Sequence, residues 1–109
     1  MSETGTGVIV VLTNLPDRES ALKLAGVLVE QRLAACVNVL AECTSIYRWQ
    51  GRVEEAAEVP VLIKAAASSY SRLEAAIRAN HPYELPEIVS VSVGAGLTPY
   101  LDWVTAETT

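Results

Sequence analysis

Apolar positions along the chain fall into runs and stripes whose spacing lays out the elements. Val8-Ile-Val-Val-Leu12 is an unbroken, mostly β-branched run between Gly7 and Thr13-Asn14-Leu15-Pro16, the pattern of a strand covered on both faces. Asp17 follows Pro16 and is placed to cap a helix, in which Ala21, Leu24, Ala25 and Leu28 recur at helical spacing up to Glu30-Gln31-Arg32. From Ala35 to Tyr47 the helical stripe is gone and β-branched residues dominate, which predicts one long strand. Arg48-Trp-Gln-Gly-Arg52 supplies a turn, and Val53 to Ala65 resumes an extended pattern with Val59, Val61, Ile63 and Ala65 on one face. Pro60 has no N–H for a ladder, so its strand is expected to lie at an edge or to bulge there.

The second half repeats the alternation. Ser68 to Asn80 predicts a helix, with Leu73, Ala76 and Ile77 as its stripe, Ser71-x-x-Glu74 as an alternative capped start, and His81-Pro82 as its stop. Pro86 to Val93 alternates with period two and predicts a strand. Thr98-Pro99 predicts a cap and first turn for a short helix carrying Tyr100, Leu101 and Val104. The order βαββαβ plus a terminal helix, with right-handed crossovers, predicts an α+β, ferredoxin-like plait whose central strands are the first and third. A single domain spans residues 1–109, with residues 1–6 expected as a flexible start.

The strand from Ala35 to Tyr47 would extend roughly 40 Å at ~3.3 Å per residue. A compact chain of this length has a diameter of roughly 34 Å. The hairpin therefore outgrows its own globule, and its free, weakly charged edges predict burial by further copies of the chain.

Composition narrows the partners. Eight basic and thirteen acidic residues give a net charge of −5, the wrong sign for a generic phosphate-binding surface, so nucleic acid is not an expected partner. No apolar run reaches the length of a membrane span, and the amino terminus lacks a basic segment followed by an apolar one, which predicts a cytoplasmic protein. Cys36 and Cys43 are the only cysteines and are expected to be reduced. His81 is the only histidine, so an imidazole-rich metal site cannot come from one chain. Thr13-Asn14-Leu15-Pro16 has neither the glycines nor the lysine of a phosphate loop, and nucleotide hydrolysis has no support.

Five segments together are similar to the CutA family of divalent-cation tolerance proteins: Leu33-Ala-Ala-Cys-Val-Asn38, Ser45-Ile-Tyr-Arg-Trp-Gln-Gly51, Leu62-Ile-Lys64, His81-Pro-Tyr-Glu-Leu-Pro-Glu-Ile88 and Tyr100-Leu-Asp-Trp103. The resemblance implies a ferredoxin-like subunit in a tight, cytoplasmic homotrimer whose hairpins pair across subunits, with a role in copper or general divalent-metal tolerance. It alone supplies the number three. Some members of the family look like copper binders through a cysteine at the end of the first strand and a histidine and glutamate around the His-Pro-Tyr motif. Here Thr13-Asn14 stands at the strand end, Asn80 stands where some relatives have a second histidine, and Ala65 replaces the family's threonine after Lys64. His81 and Glu87 remain as the implied metal ligands, suited to weak binding of Cu(II) or zinc with water or another chain completing the shell.

The residues themselves keep several readings open. His81 sits where helix gives way to strand and serves either as a ligand or as a terminal side chain bonding the last helical carbonyls. Glu84 and Glu87 flank Pro86, spaced for a metal, an acid/base pair or plain solvation. Tyr47, Trp49 and Tyr83 are amphipathic aromatics able either to line a ligand pocket or to anchor an interface. Lys64 interrupts an apolar strand, which predicts a nearby anion, with Glu84 or Glu87 as candidates, or a stem that packs while its head reaches water. Cys36 reads as core. These features lead to a non-enzymatic trimer that binds a divalent cation or small ligand in clefts between subunits. The alternative is a trimeric signalling or scaffold module that binds a protein or metabolite independently of metal.

Overall fold

Alternation along one fifteen-residue strand organises the molecule, here described from a computed structural model covering residues 5–108. The elements run β1 (Val8–Leu15), α1 (Arg18–Glu30), β2 (Cys36–Val39), β3 (Cys43–Trp49), β4 (Arg52–Ala66), α2 (Tyr70–Ala79), β5 (Val89–Ser92) and α3 (Thr98–Glu107). The sheet order is β2-β4-β1-β5, with β3 also paired to β4, and every pairing is antiparallel. The predicted α+β plait is therefore the observed one, its expected first and third strands being β1 and β4, which lie at the centre. Of the expected flexible start, residues 1–4 lie outside the described residues. Thr6 is tied in: its hydroxyl donates to the Val93 carbonyl at 2.6 Å and accepts from the Val8 N–H at 3.2 Å.

Odd-numbered residues of β1 and β4 make the core. Val11, Leu15, Val61, Ile63 and Ala65 are fully buried beneath Ala21, Leu24 and Leu28 of α1 and Leu73 and Ile77 of α2. Asp17 caps α1 as expected, its Oδ1 accepting the Ser20 N–H at 2.7 Å. The helix ends with the Leu33 N–H on the Leu28 carbonyl and the Arg32 N–H on the Val29 carbonyl. That pairing puts Arg32 in the left-handed region at φ 58°. The Arg32 side chain then reaches α3, donating to the Ala106 carbonyl at 2.9 Å and lying 3.6 Å from the Glu107 carboxylate.

The even-numbered residues form a second face that is covered only in part. Val8 and Ala66 are buried, and α3, whose Val104 is fully buried, contacts both β1 and β4. Farther along, Val10, Leu12 and Leu62 are half-buried, and Val89 and Val91, which pair with Leu12 and Val10, are about half exposed.

Several boundaries differ from the sequence reading. The expected single strand over 35–47 is broken: Val39 pairs with Val61 and Cys43 with Glu58, so Leu40, Ala41 and Glu42 stand opposite only Val59 and Pro60. This is a bulge, one of the two outcomes expected of Pro60. The Pro60 carbonyl accepts from the Leu40 N–H at 2.9 Å, so its donor-less nitrogen faces the same irregular stretch. Beyond the bulge, β3 and the first half of β4 form a ribbon closed by Gln50-Gly51, both at positive φ (52° and 80°), as a two-residue hairpin turn requires. The ribbon helps stretch the chain to 43 × 29 × 23 Å.

β1 extends three residues past Leu12, because Thr13, Asn14 and Leu15 pair with Val61, Pro60 and Val59. β5 keeps only Val89–Ser92 of the expected 86–93 strand. Ser71 lies inside α2 rather than capping it. The cap position is Ser69, whose hydroxyl accepts from Arg72 at 3.3 Å. Leu97, not Thr98, is the cap residue of α3. Cys36 is half-buried on the even face opposite Lys64, not in the core, and both cysteines are free.

Ile63 is fully buried and pairs with both Val11 and Val37. Ile63→Ala is expected to lower unfolding free energy by about 2–5 kcal/mol in denaturant titrations. A loss below about 1 kcal/mol would contradict this packing.

Candidate functional site

The end of β1 is where the candidate residues meet. Asn14 lies on the even face, one residue before β1 ends at Leu15, and its backbone and side chain each hold part of the segment that follows α2. The Asn14 carbonyl lies 2.7 Å from Nε2 of His81, and its amide Nδ2 donates to Oε1 of Glu87 at 2.9 Å. His81 Nδ1 in turn accepts the Tyr83 N–H at 3.2 Å. A carbonyl only accepts and an amide N–H only donates, so the imidazole is fixed as the neutral tautomer with its proton on Nε2. Burial, the larger cause, holds its pKa below the ordinary value, while the Asn14 carbonyl and the Glu58 charge pull the other way.

Tyr83 extends the network. Its ring lies 4.8 Å from that of His81, and its hydroxyl donates to Oε2 of Glu58 at 3.0 Å. Burial first, then Glu58, push the Tyr83 pKa up to about 12, so the phenol keeps its proton. Register puts Glu58 on the same face of β4 as Lys64, and on the same ribbon face as Cys43, Ser45, Tyr47 and Trp49. Between this face and the 82–87 segment lies an open cleft of about 880 Å³, lined among others by Tyr47, Trp49, Glu58, Tyr83, Glu84 and Glu87.

The structure thus brings together Tyr47, Trp49, Tyr83, Glu84 and Glu87, with His81 directly behind Tyr83. It does not bring Lys64 to them. Lys64 pairs with Val10 and Cys36, and its ammonium donates to Oδ1 of Asn38 at 2.8 Å, so its partner is a neutral amide rather than Glu84 or Glu87. The half-buried stem with a bonded head matches the second reading of that residue. Asn80, at the position where some relatives have histidine, closes α2 by donating to the Ala76 carbonyl at 2.8 Å.

As a metal centre within one chain, the implied pair does not fit. Both nitrogens of His81 are engaged by backbone groups, leaving no free lone pair, and Glu87 is bonded to Asn14. Among the described residues, no three His, Cys, Asp or Glu side chains converge as metal ligands would. Sequence reasoning missed Asn14 and Glu58. Asn14 sits at a strand end, where a polar residue looks like the start of a loop. For Glu58 the sequence offers only its even spacing from Lys64, a weak signal.

Comparison with known proteins matches residues 9–107 to the CutA1 divalent ion tolerance protein family. The chain belongs to that family. It is 46% identical to the divalent-cation tolerance protein CutA of Thermus thermophilus, over 91% of this chain and 96% of that protein. It is 39% identical to human protein CutA, over 94% of this chain but 60% of that longer protein. Among solved structures, the Thermus protein superposes with a TM-score of 0.92 at 44% identity, covering 94% of this chain and 99% of that one. CutA1 from Oryza sativa gives 0.92 at 34% identity, covering 98% of each.

The expected cytoplasmic location is overturned by the same comparison. A rice relative, 37% identical, is named as chloroplastic, and the CutA structure from Archaeoglobus fulgidus is described as periplasmic. Neither cysteine here is paired, so nothing in the covalent structure ties the fold to one redox compartment. Among the described residues, no helix is long and apolar enough to cross a membrane.

Depression of the His81 pKa gives a signed prediction. The unfolded chain takes up this proton more readily than the folded one, so the stability His81 contributes is whole above its ordinary value of about 6.5. It is lost as pH falls through the lower native value. Thermal midpoints measured from pH 8 to pH 4.5 should fall more steeply for wild type than for His81→Gln. Parallel curves would contradict the buried neutral imidazole.

Proposed function

We propose that this protein contributes to divalent-cation tolerance as a non-enzymatic homotrimer whose binding site for a metal ion or small ligand is the ribbon-side cleft, completed by a neighbouring subunit. The cleft itself carries the reading. It is open and aromatic-walled, and it is edged by carboxylates whose partners, Asn14 and Tyr83, orient them rather than activate them. The imidazole nearby holds the 82–87 segment to β1 through both its nitrogens, so it is not free to act as a general base.

Exposed apolar side chains support the assembly. Ile46 and Val53 on the ribbon are 67% and 66% exposed, and Leu85 and Leu97 exceed that. Among the described residues β3 bonds only to β4 and β5 only to β1, so both present an unpaired edge. Copies of the chain that pair these edges would cover the apolar surface and close the cleft's open side.

Binding of Cu(II) or zinc at His81 and Glu87 requires Nδ1 of His81 to give up the Tyr83 N–H, so metal uptake would be weak and coupled to movement of the 82–87 segment. Sedimentation at micromolar concentration is expected to give about three times the 11.7 kDa chain mass. Calorimetric titration of metal-free protein with Cu(II) and Zn(II) should show weak binding that His81→Ala abolishes. A particle of single-chain mass would refute the assembly, and identical or absent heats in both proteins would remove the metal from this site.

A further inference from the structure

The cleft's size and charge discriminate between the ligands left open above. A metal ion needs donors converging to within about 2.0–2.6 Å of one point, and the described side chains offer no such convergence. About 880 Å³ instead matches the sites that hold small organic molecules. Glu58, Glu84 and Glu87 are the charged side chains lining it, with no lysine or arginine among the lining residues. Arg52, across from Trp49 at the ribbon's tip, lies outside the lining.

The walls of the cleft are aromatic. Tyr47 and Trp49 are 43% and 42% exposed beside the cleft, and the Tyr83 ring is fixed at its base by His81 and Glu58. Aromatic faces attract cations through their quadrupoles, and most strongly where water is excluded. Carboxylates held in place by Asn14 and Tyr83 attract the same charge without having to reorganise when it arrives.

We propose that the cleft binds a small organic ammonium ion, its apolar part against the aromatic walls and its charge facing Glu58, Glu84 and Glu87. The proposal rests on the cleft being the protein's binding site and names the chemistry of what enters it. An anion of the same shape meets three like charges. A neutral molecule of that shape gains the apolar contact alone.

A matched set of probes separates these cases. Phenethylamine, 2-phenylethanol and hydrocinnamate share a ring and a short chain and differ chiefly in charge. With the intact oligomer, calorimetry and the ¹H–¹⁵N shift of the Trp49 indole are expected to show phenethylamine binding at least ten-fold more tightly than either analogue. Glu58→Gln and Glu84→Gln should each cut that preference several-fold, and Trp49→Leu should weaken the amine by about ten-fold. Equal affinity for amine and alcohol, or preference for the anion, would overturn the ammonium proposal while leaving the cleft as a binding site. A shift of Trp49 with Cu(II) or Zn(II) and not with the amine would overturn it in favour of the metal. No shift with any probe or metal would overturn both the ammonium proposal and the cleft itself.

Discussion

A single strand, β4, bonds three others, and the fold depends on its two faces being used differently. Its odd residues seal the helical core, while its even residues run from Ala66, under α3, through Lys64 and Leu62 to Glu58 in the cleft. Pro60 divides it. A proline within a strand that has neighbours on both sides forfeits one donor, and the loss is confined to the side where Leu40 to Glu42 bulge away. The bulge separates a sheet body, covered by helices, from a ribbon that its own chain leaves exposed.

The cleft follows from that division. Because β1 continues past the expected turn, Asn14 lies beside Pro60 and can hold both His81 and Glu87. The segment after α2 is thereby drawn around the end of β1 toward the ribbon, where Tyr83 meets Glu58. His81 is best understood as a positioning residue whose two nitrogens join separate backbone segments. Its bonds to the backbone of β1 and of the 82–87 segment set where the aromatic and acidic surface beside it lies.

Legibility in the sequence tracked how local each determinant was. Helix α1 was readable to its cap, because Asp17 and the Ala21–Leu28 stripe act within a few residues. Strand order followed from connection rules, and the core face of β4 from strict alternation. What escaped reading depended on partners distant in sequence. Thr13 to Leu15 look like a loop until Val59 to Val61 pair with them, and the strand over 35–47 looks continuous until Pro60 faces it. The same holds at the site: Tyr47, Trp49, Tyr83, Glu84 and Glu87 were singled out and do converge. Of the two readings of Lys64, the nearby anion is the one that fails, because its ammonium bonds Asn38, a neutral amide on the adjacent strand that offers no charge signal. Asn14 and Glu58 were missed because their importance lies in bonds spanning 73 and 25 residues.

In the proposed assembly β3 and β5, each bonded to a single strand among the described residues, are covered by copies of the chain in solution. Amide hydrogen exchange read residue by residue along these two strands tests it most directly, since an unpaired edge N–H exchanges quickly unless another strand bonds it. Protection at the outward-facing amides of both strands, comparable to that in the middle of β4, is the result expected. Rapid exchange there, with β4 still protected, would mean that the ribbon stands alone in water, and the inter-subunit cleft would fall with it.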